Sequence, residues 1–178
     1  MSQFRSDARR NRDAVIESAV RLLSDRPHAS VSEIADASGV GRTTVYRHFP
    51  TRETLLRALI DRAVEDSRAI ITMVISSPDP PLQVVRTLGP QLVTIGTRYR
   101  FLVAHGREEA ALEPLAPYLE SAREHSQLRD DLPIWWMLAV LRGLAVAAVD
   151  EVVAGRAESV DAGRLLGTTL AAAFAPRA

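Results

Sequence analysis

Apolar residues along the chain recur at helical spacing almost from end to end. In the stretch 13–23 they fall at Ala14, Val15, Ala19, Leu22 and Leu23, which line one face of a helix. Pro27 closes that helix, because a proline disfavours the helical region for the residue before it. Ser30 and Glu33 then have the spacing of a capping box, and the short helix they start has Val31, Ile34 and Ala35 on its buried side. Gly39 is placed to end it in the left-handed conformation, and Val40-Gly41 forms a tight turn. A second short helix over 42–48 buries Val45, with Phe49 after it. Thr51 caps a long helix over 52–75, with Glu53 in its first turn and Leu55, Leu56, Leu59, Ile60, Ala63 and Val64 on one face. Ser76 to Pro81 reads as a linker. Further helices are predicted at about 82–96, 98–105, 112–128, 133–155 and 160–174, with Pro90 kinking or shortening the first. No stretch alternates as a strand does, so the expected fold is all-α.

The pattern at 30–52 is that of a helix-turn-helix. Ile34, Ala35 and Val45 form its inner seam, with Val40 as an apolar peg. The outer face of the second helix then carries Arg42, Thr43, Thr44, Tyr46, Arg47 and His48. Donors, small hydroxyls and an aromatic on one helix face suit base edges, thymine methyls and phosphates of a major groove. Arg52, at the start of the next helix, is expected on a phosphate. Arg5, Arg9, Arg10 and Arg12 form a basic arm that either touches DNA or is a solvated tail.

Charge supports this division. The 178 residues carry no net charge, and all 22 basic residues are arginine. Residues 1–62 hold 11 Arg against 8 acidic residues, and residues 63–178 hold 11 against 14. The basic part is the one with the helix-turn-helix, as a polyanion partner requires.

The run from Val31 to Leu56 resembles the DNA-binding signature of TetR-family transcriptional regulators. The resemblance rests on Ile34-Ala35, the Gly39-Val40 turn, Tyr46-Arg47-His48-Phe49 and Arg52-Glu53 before Leu55, and it covers about residues 10–60. Gly41 stands where a serine is frequent in the family, and Arg52 where lysine is typical. The resemblance implies a three-helix DNA-binding domain over 1–52 and a helical effector-binding and dimerisation domain over 53–178. It also implies a homodimer on a palindromic operator, most simply a repressor released by a small molecule. A DNA-binding protein of the same fold governed by a protein partner, or acting architecturally, is the alternative.

The C-terminal two thirds have a different chemistry. The segment 134–149 is apolar on nearly all sides, but it is short for a membrane span and holds Arg142 near its middle, so it reads as a buried helix. Small residues step by four at Ala139, Gly143 and Ala147, and again at Gly163, Gly167 and Ala171. With Leu166 and Leu170 these assign helices 133–155 and 160–174 to a four-helix dimer interface. Tyr99, Tyr118, Trp135, Trp136, His105 and Arg142 are the candidates for lining a small-molecule cavity, with plain core packing as the competing account.

Other chemistry finds no support in the sequence. The chain has no cysteine, and its four histidines have no metal-ligand spacing. No phosphate loop, H-E-x-x-H or G-x-S-x-G motif is present. We therefore expect no catalytic residue, metal or cofactor. The polar, Arg-rich N-terminus is no signal peptide, so a cytoplasmic protein with no membrane partner is expected.

Overall fold

The computed structural model describes residues 2–101 and 108–177, without the side chains of residues 2–6, 108 and 109. Every regular element among them is helical: α1 (Ser2–Asp25), α2 (Val31–Ser38), α3 (Arg42–His48), α4 (Arg52–Ile75), α5 (Pro81–Arg98), α6 (Glu108–Leu112), α7 (Leu115–Glu124), α8 (Ile134–Val153) and α9 (Ser159–Phe174). No described helix is long and apolar enough to cross a membrane. The chain divides into two compact units, residues 1–62 and 63–178, and the division falls inside α4.

In the first unit α1 buries Val15, Ile16, Ala19, Val20 and Leu23. This helix packs on α2 and α3, and Ile34 and Ala35 of α2, Val45 of α3, Phe49, and Leu55 and Leu59 of α4 are buried as well. The helix begins eleven residues earlier than the apolar periodicity suggests, so the basic arm is helical. Arg9, Arg10 and Arg12 lie on its exposed side, and Arg12 places its guanidinium 5.8 Å from the Phe49 ring centroid.

The second unit is built on α5 and α9, which form its most extensive helix pair. Glycine makes the closeness possible. A Cβ on Gly89 would lie 2.4 Å from the Gly163 carbonyl oxygen and from the Gly167 nitrogen. A Cβ on Gly163 would lie 2.6 Å from the Pro90 Cα. Pro90 sits inside α5 and has no N–H to give the Arg86 carbonyl one turn back. That carbonyl faces α9 instead, where a Cβ on Gly167 would come within 2.2 Å of its oxygen. Backbone therefore meets backbone along this crossing.

This corrects the dimer assignment for one of the two stripes. Gly163, Leu166, Gly167 and Leu170 are buried within their own chain, against α5 and the core formed by Leu88, Val93, Leu119, Met137 and Phe174. The α8 stripe differs: Gly143 and Ala147 are exposed, Ala139 is half-buried, and a Cβ on Gly143 would meet nothing within 4 Å. The far end of α9 is closed by Arg129, whose backbone N–H donates to the Phe174 carbonyl and whose Nη1 donates to that of Ala173, each at 3.0 Å. Asp131 grips the same guanidinium through Nε and Nη2 at 2.7 and 2.8 Å.

Candidate nucleic-acid interface

Local signals set the geometry of α2 and α3. Ser30 caps α2: its Oγ accepts from the Glu33 N–H at 3.2 Å, and the Ser30 N–H donates to the Glu33 carboxylate at 2.8 Å. The Ser30 backbone N–H, then its hydroxyl, holds the Glu33 carboxyl below its usual range. Gly39 ends the helix at φ 68°, a conformation in which a Cβ is strained. The turn is tightened by Ser38, whose Oγ donates to the Ala35 carbonyl at 2.8 Å and accepts from the Val40 N–H at 3.1 Å. Residue 41 then starts α3, its carbonyl accepting from Thr44 and Val45 at 2.8 and 3.1 Å.

With Val45 and Phe49 fully inward, α3 turns Arg42, Thr43, Tyr46 and Arg47 to solvent. Tyr46 is 46% exposed, unusual for a large aromatic in so small a helix and unexplained by packing within this unit. Thr44 is half-buried at the edge of this face. Arg42 reaches back across the turn to Asp36 of α2: Nε donates to Oδ1 at 3.0 Å and Nη2 to Oδ2 at 2.7 Å. That paired hydrogen bond, more than the bare charge, lowers the Asp36 pKa and raises that of Arg42.

Two expected phosphate ligands are placed otherwise. The Arg52 guanidinium turns back onto the α1–α2 connection, with Nη2 donating to the Pro27 carbonyl at 2.7 Å and Nη1 to that of Ala29. It ties the start of α4 to that connection. His48 is half-buried, and its Nε2 is turned inward with no hydrogen-bond partner among the described residues. The start of α4 is capped reciprocally by Thr51 and Thr54: the Thr54 N–H donates to Thr51 Oγ1 at 3.1 Å, and the Thr51 N–H donates to Thr54 Oγ1 at 3.2 Å.

The described residues expected around an effector cavity do not all lie together. Tyr99 is buried, and its hydroxyl donates to Asp66 Oδ2 of α4 at 2.6 Å. Burial, and then that bond, pushes its pKa up to about 12. Trp135 and Trp136, edge to face at 5.5 Å, are 67% and 46% exposed at the start of α8. Gly96 of α5 packs on Val149, near the other end of α8. Fourteen helical residues separate Val149 from Trp135, about 20 Å of rise, so Tyr99 and the two tryptophans mark different ends of the unit. Tyr118 is half-buried, with its pKa raised by burial, and Arg142 is half-buried too. Glu113 pairs with Arg68. His105 lies outside the described residues.

Residues 15–59 match the family described as bacterial regulatory proteins, tetR family. This region is thus a TetR-type DNA-binding region. The TetR-type domain is 45% identical over 62 residues to the HTH-type transcriptional repressor LfrR of Mycolicibacterium smegmatis, a match covering 35% of this chain and 33% of LfrR. The chain thus spans about a third of the length of that relative. A longer match, 26% identical over 166 residues, covers 86% of the chain and 89% of the HTH-type transcriptional regulator NfxB of Pseudomonas aeruginosa. Among solved structures, LfrR in complex with proflavine superposes with a TM-score of 0.72 at 28% identity, over 91% of this chain and 94% of that one. The TetR-like fold thus extends through both units.

Asp36 escaped the sequence reading. Only a side chain six residues before Arg42, across a glycine turn of known shape, reveals it, and no periodic pattern marks such a pair.

Proposed function

We propose that this chain is a TetR-family DNA-binding transcriptional repressor, acting as a cytoplasmic homodimer on a palindromic operator and released by a small-molecule effector. The observation that carries the reading is the face of α3. Its donors and its one aromatic are turned outward while Val45 and Phe49 fill the interior. Arg42, Thr43, Tyr46 and Arg47 read or flank the bases, with Thr44 at the edge, as the second helix of such a motif does in a major groove. Arg52 and His48 support this face from behind.

The dimer is assigned to the exposed side of α8, where Ala139, Gly143 and Ala147 leave a shallow strip between Trp135 and Val153. An apolar face of this kind, left open by its own chain, suits a second copy related by a two-fold axis. Release by an effector is supported by the likeness to LfrR, a repressor whose crystal structure holds proflavine. Tyr118 and Arg142, half-buried in the second unit, are the two expected residues that keep a place in lining such a site.

Selection of bound duplexes from a random-sequence library tests the reading. The expected result is an inverted repeat whose half-sites lie about one helical turn, ~34–36 Å, or somewhat more apart. Tyr46→Ala and Arg47→Ala should weaken binding to it, and proflavine is the first probe for release. A library that yields no enriched motif would refute DNA reading by this chain.

A further inference from the structure

Asp36 and Arg42 are both exposed, and exposed ion pairs contribute little to stability. Their geometry is nonetheless specific. Asp36 accepts from Nε and Nη2, the side edge of the guanidinium. Arginine carries five N–H donors in one plane. The end edge, one N–H on Nη1 and the second on Nη2, therefore stays free, and its two donors run parallel. That edge matches a pair of acceptors side by side, as guanine presents with O6 and N7 in the major groove.

A phosphate clamp would be built otherwise. Its attraction comes from a free cation that displaces counterions, and Asp36 cancels that charge while adding an anion near the DNA. What Asp36 supplies instead is a fixed plane. It holds a long, rotamer-rich side chain in one orientation at the first residue of α3, the end of a reading helix that meets base edges. We infer that Asp36 is a positioning residue that sets Arg42 to read a guanine, once in each half-site. The inference rests on the DNA-binding reading above and adds to it the identity of one base and the residue that enforces it.

The same library selection, run on the full chain and on Asp36→Ala, Arg42→Ala and Arg42→Lys, tests this. The parent motif should hold one invariant guanine per half-site. All three variants should lose the preference at that column and keep the other columns. Discrimination there should fall by roughly 5- to 150-fold, the range of one bidentate pair. Asp36→Ala also frees a cation, so its slope of log K against log salt should steepen by about one per subunit. A merely structural role for Asp36 would weaken binding to every sequence alike and leave the guanine column intact, and that result overturns the inference. So does a parent motif without an invariant guanine. A parent selection with no motif at all refutes the DNA-binding reading itself, and the inference with it.

Discussion

The two small-residue stripes of the second unit have the same step and opposite surroundings. On α9, Gly163 and Gly167 are sunk against α5, where an added Cβ would come within 2.6 Å or less of backbone atoms. On α8, Gly143 has open space within 4 Å and is exposed beside Ala147. A step of four small residues says that a helix can be approached closely; it does not say by which helix. The answer for α9 lies in its partner. Gly89 provides a matching gap, and Pro90 strips the Arg86 carbonyl of its donor so that it lies against the Gly167 Cα. For Gly143 of the α8 stripe no such complement is found among the described residues.

The largest expected effect breaks the contact within the chain. Gly167→Leu places a branched side chain where even a Cβ would lie 2.2 Å from the Arg86 oxygen, and backbone cannot rotate away as a side chain can. Overpacking usually costs about 1–3 kcal/mol; here both neighbours are main chain, so a loss above ~3 kcal/mol is expected. Urea denaturation followed by circular dichroism measures it. Gly167→Ala should already be destabilising, which distinguishes a backbone contact from a merely crowded side chain.

The next effect concerns the other stripe. A Cβ at residue 143 meets no neighbour within 4 Å among the described residues, so for Gly143→Leu monomer stability should change by less than about 0.5 kcal/mol beyond the ~1 kcal/mol that any helical glycine replacement can add in its favour. Under the proposed dimer the same change fills the shallow strip, and sedimentation at low micromolar concentration should show monomer in place of dimer. Binding to a palindromic duplex should fall with it. If Gly143→Leu stays dimeric while retaining its fold, α8 is not the dimer face, and the contrast between the stripes has another cause.

The two units also differ in how far the sequence discloses them. In the first, the decisive signals are local. Ser30 with Glu33, Gly39 and the inward trio Val31, Ile34, Ala35 are fixed by neighbours within a few residues, and each stands in the structure as the pattern predicts. What the pattern misplaces there is tertiary. Arg52 looks like a free cation at a helix start until the carbonyls of Pro27 and Ala29, more than twenty residues away, are brought beside it. His48 and the helical path of residues 2–12 are of the same kind. In the second unit nearly everything is tertiary. The all-round apolar character of α8 does not say which residues face its own core, and only burial shows it: Met137, Leu141 and Val149 inward, Trp135 and Val153 outward. An aromatic is equally apolar in a core, a cavity or an open face, so composition could not distribute Tyr99, Tyr118 and the two tryptophans among them.

The smallest effect sharpens the comparison at the far end of α5, where the helix is held by a polar tip instead of bare backbone. Tyr99 is buried and donates to Asp66, and its pKa is pushed up to about 12, first by burial and then by that bond. The sign follows from the raised value. An unfolded chain ionises this phenol near its ordinary ~10, so the stabilisation is fully present below pH 10 and is lost as pH rises from 10 through about 12. The chain has three tyrosines, and Tyr46 is exposed. Absorbance titration of the phenolates should therefore show a late step near pH 12 that is missing in Tyr99→Phe. The variant removes one donor to a carboxylate without making a cavity, so at pH 7 it should cost only about 1–2 kcal/mol, well below Gly167→Leu. Because the loss arises from the phenol's proton, the stability gap between parent and variant should narrow above pH 10 and close beyond 12. A gap that stays constant across that range would mean that Tyr99 holds α5 by its ring alone.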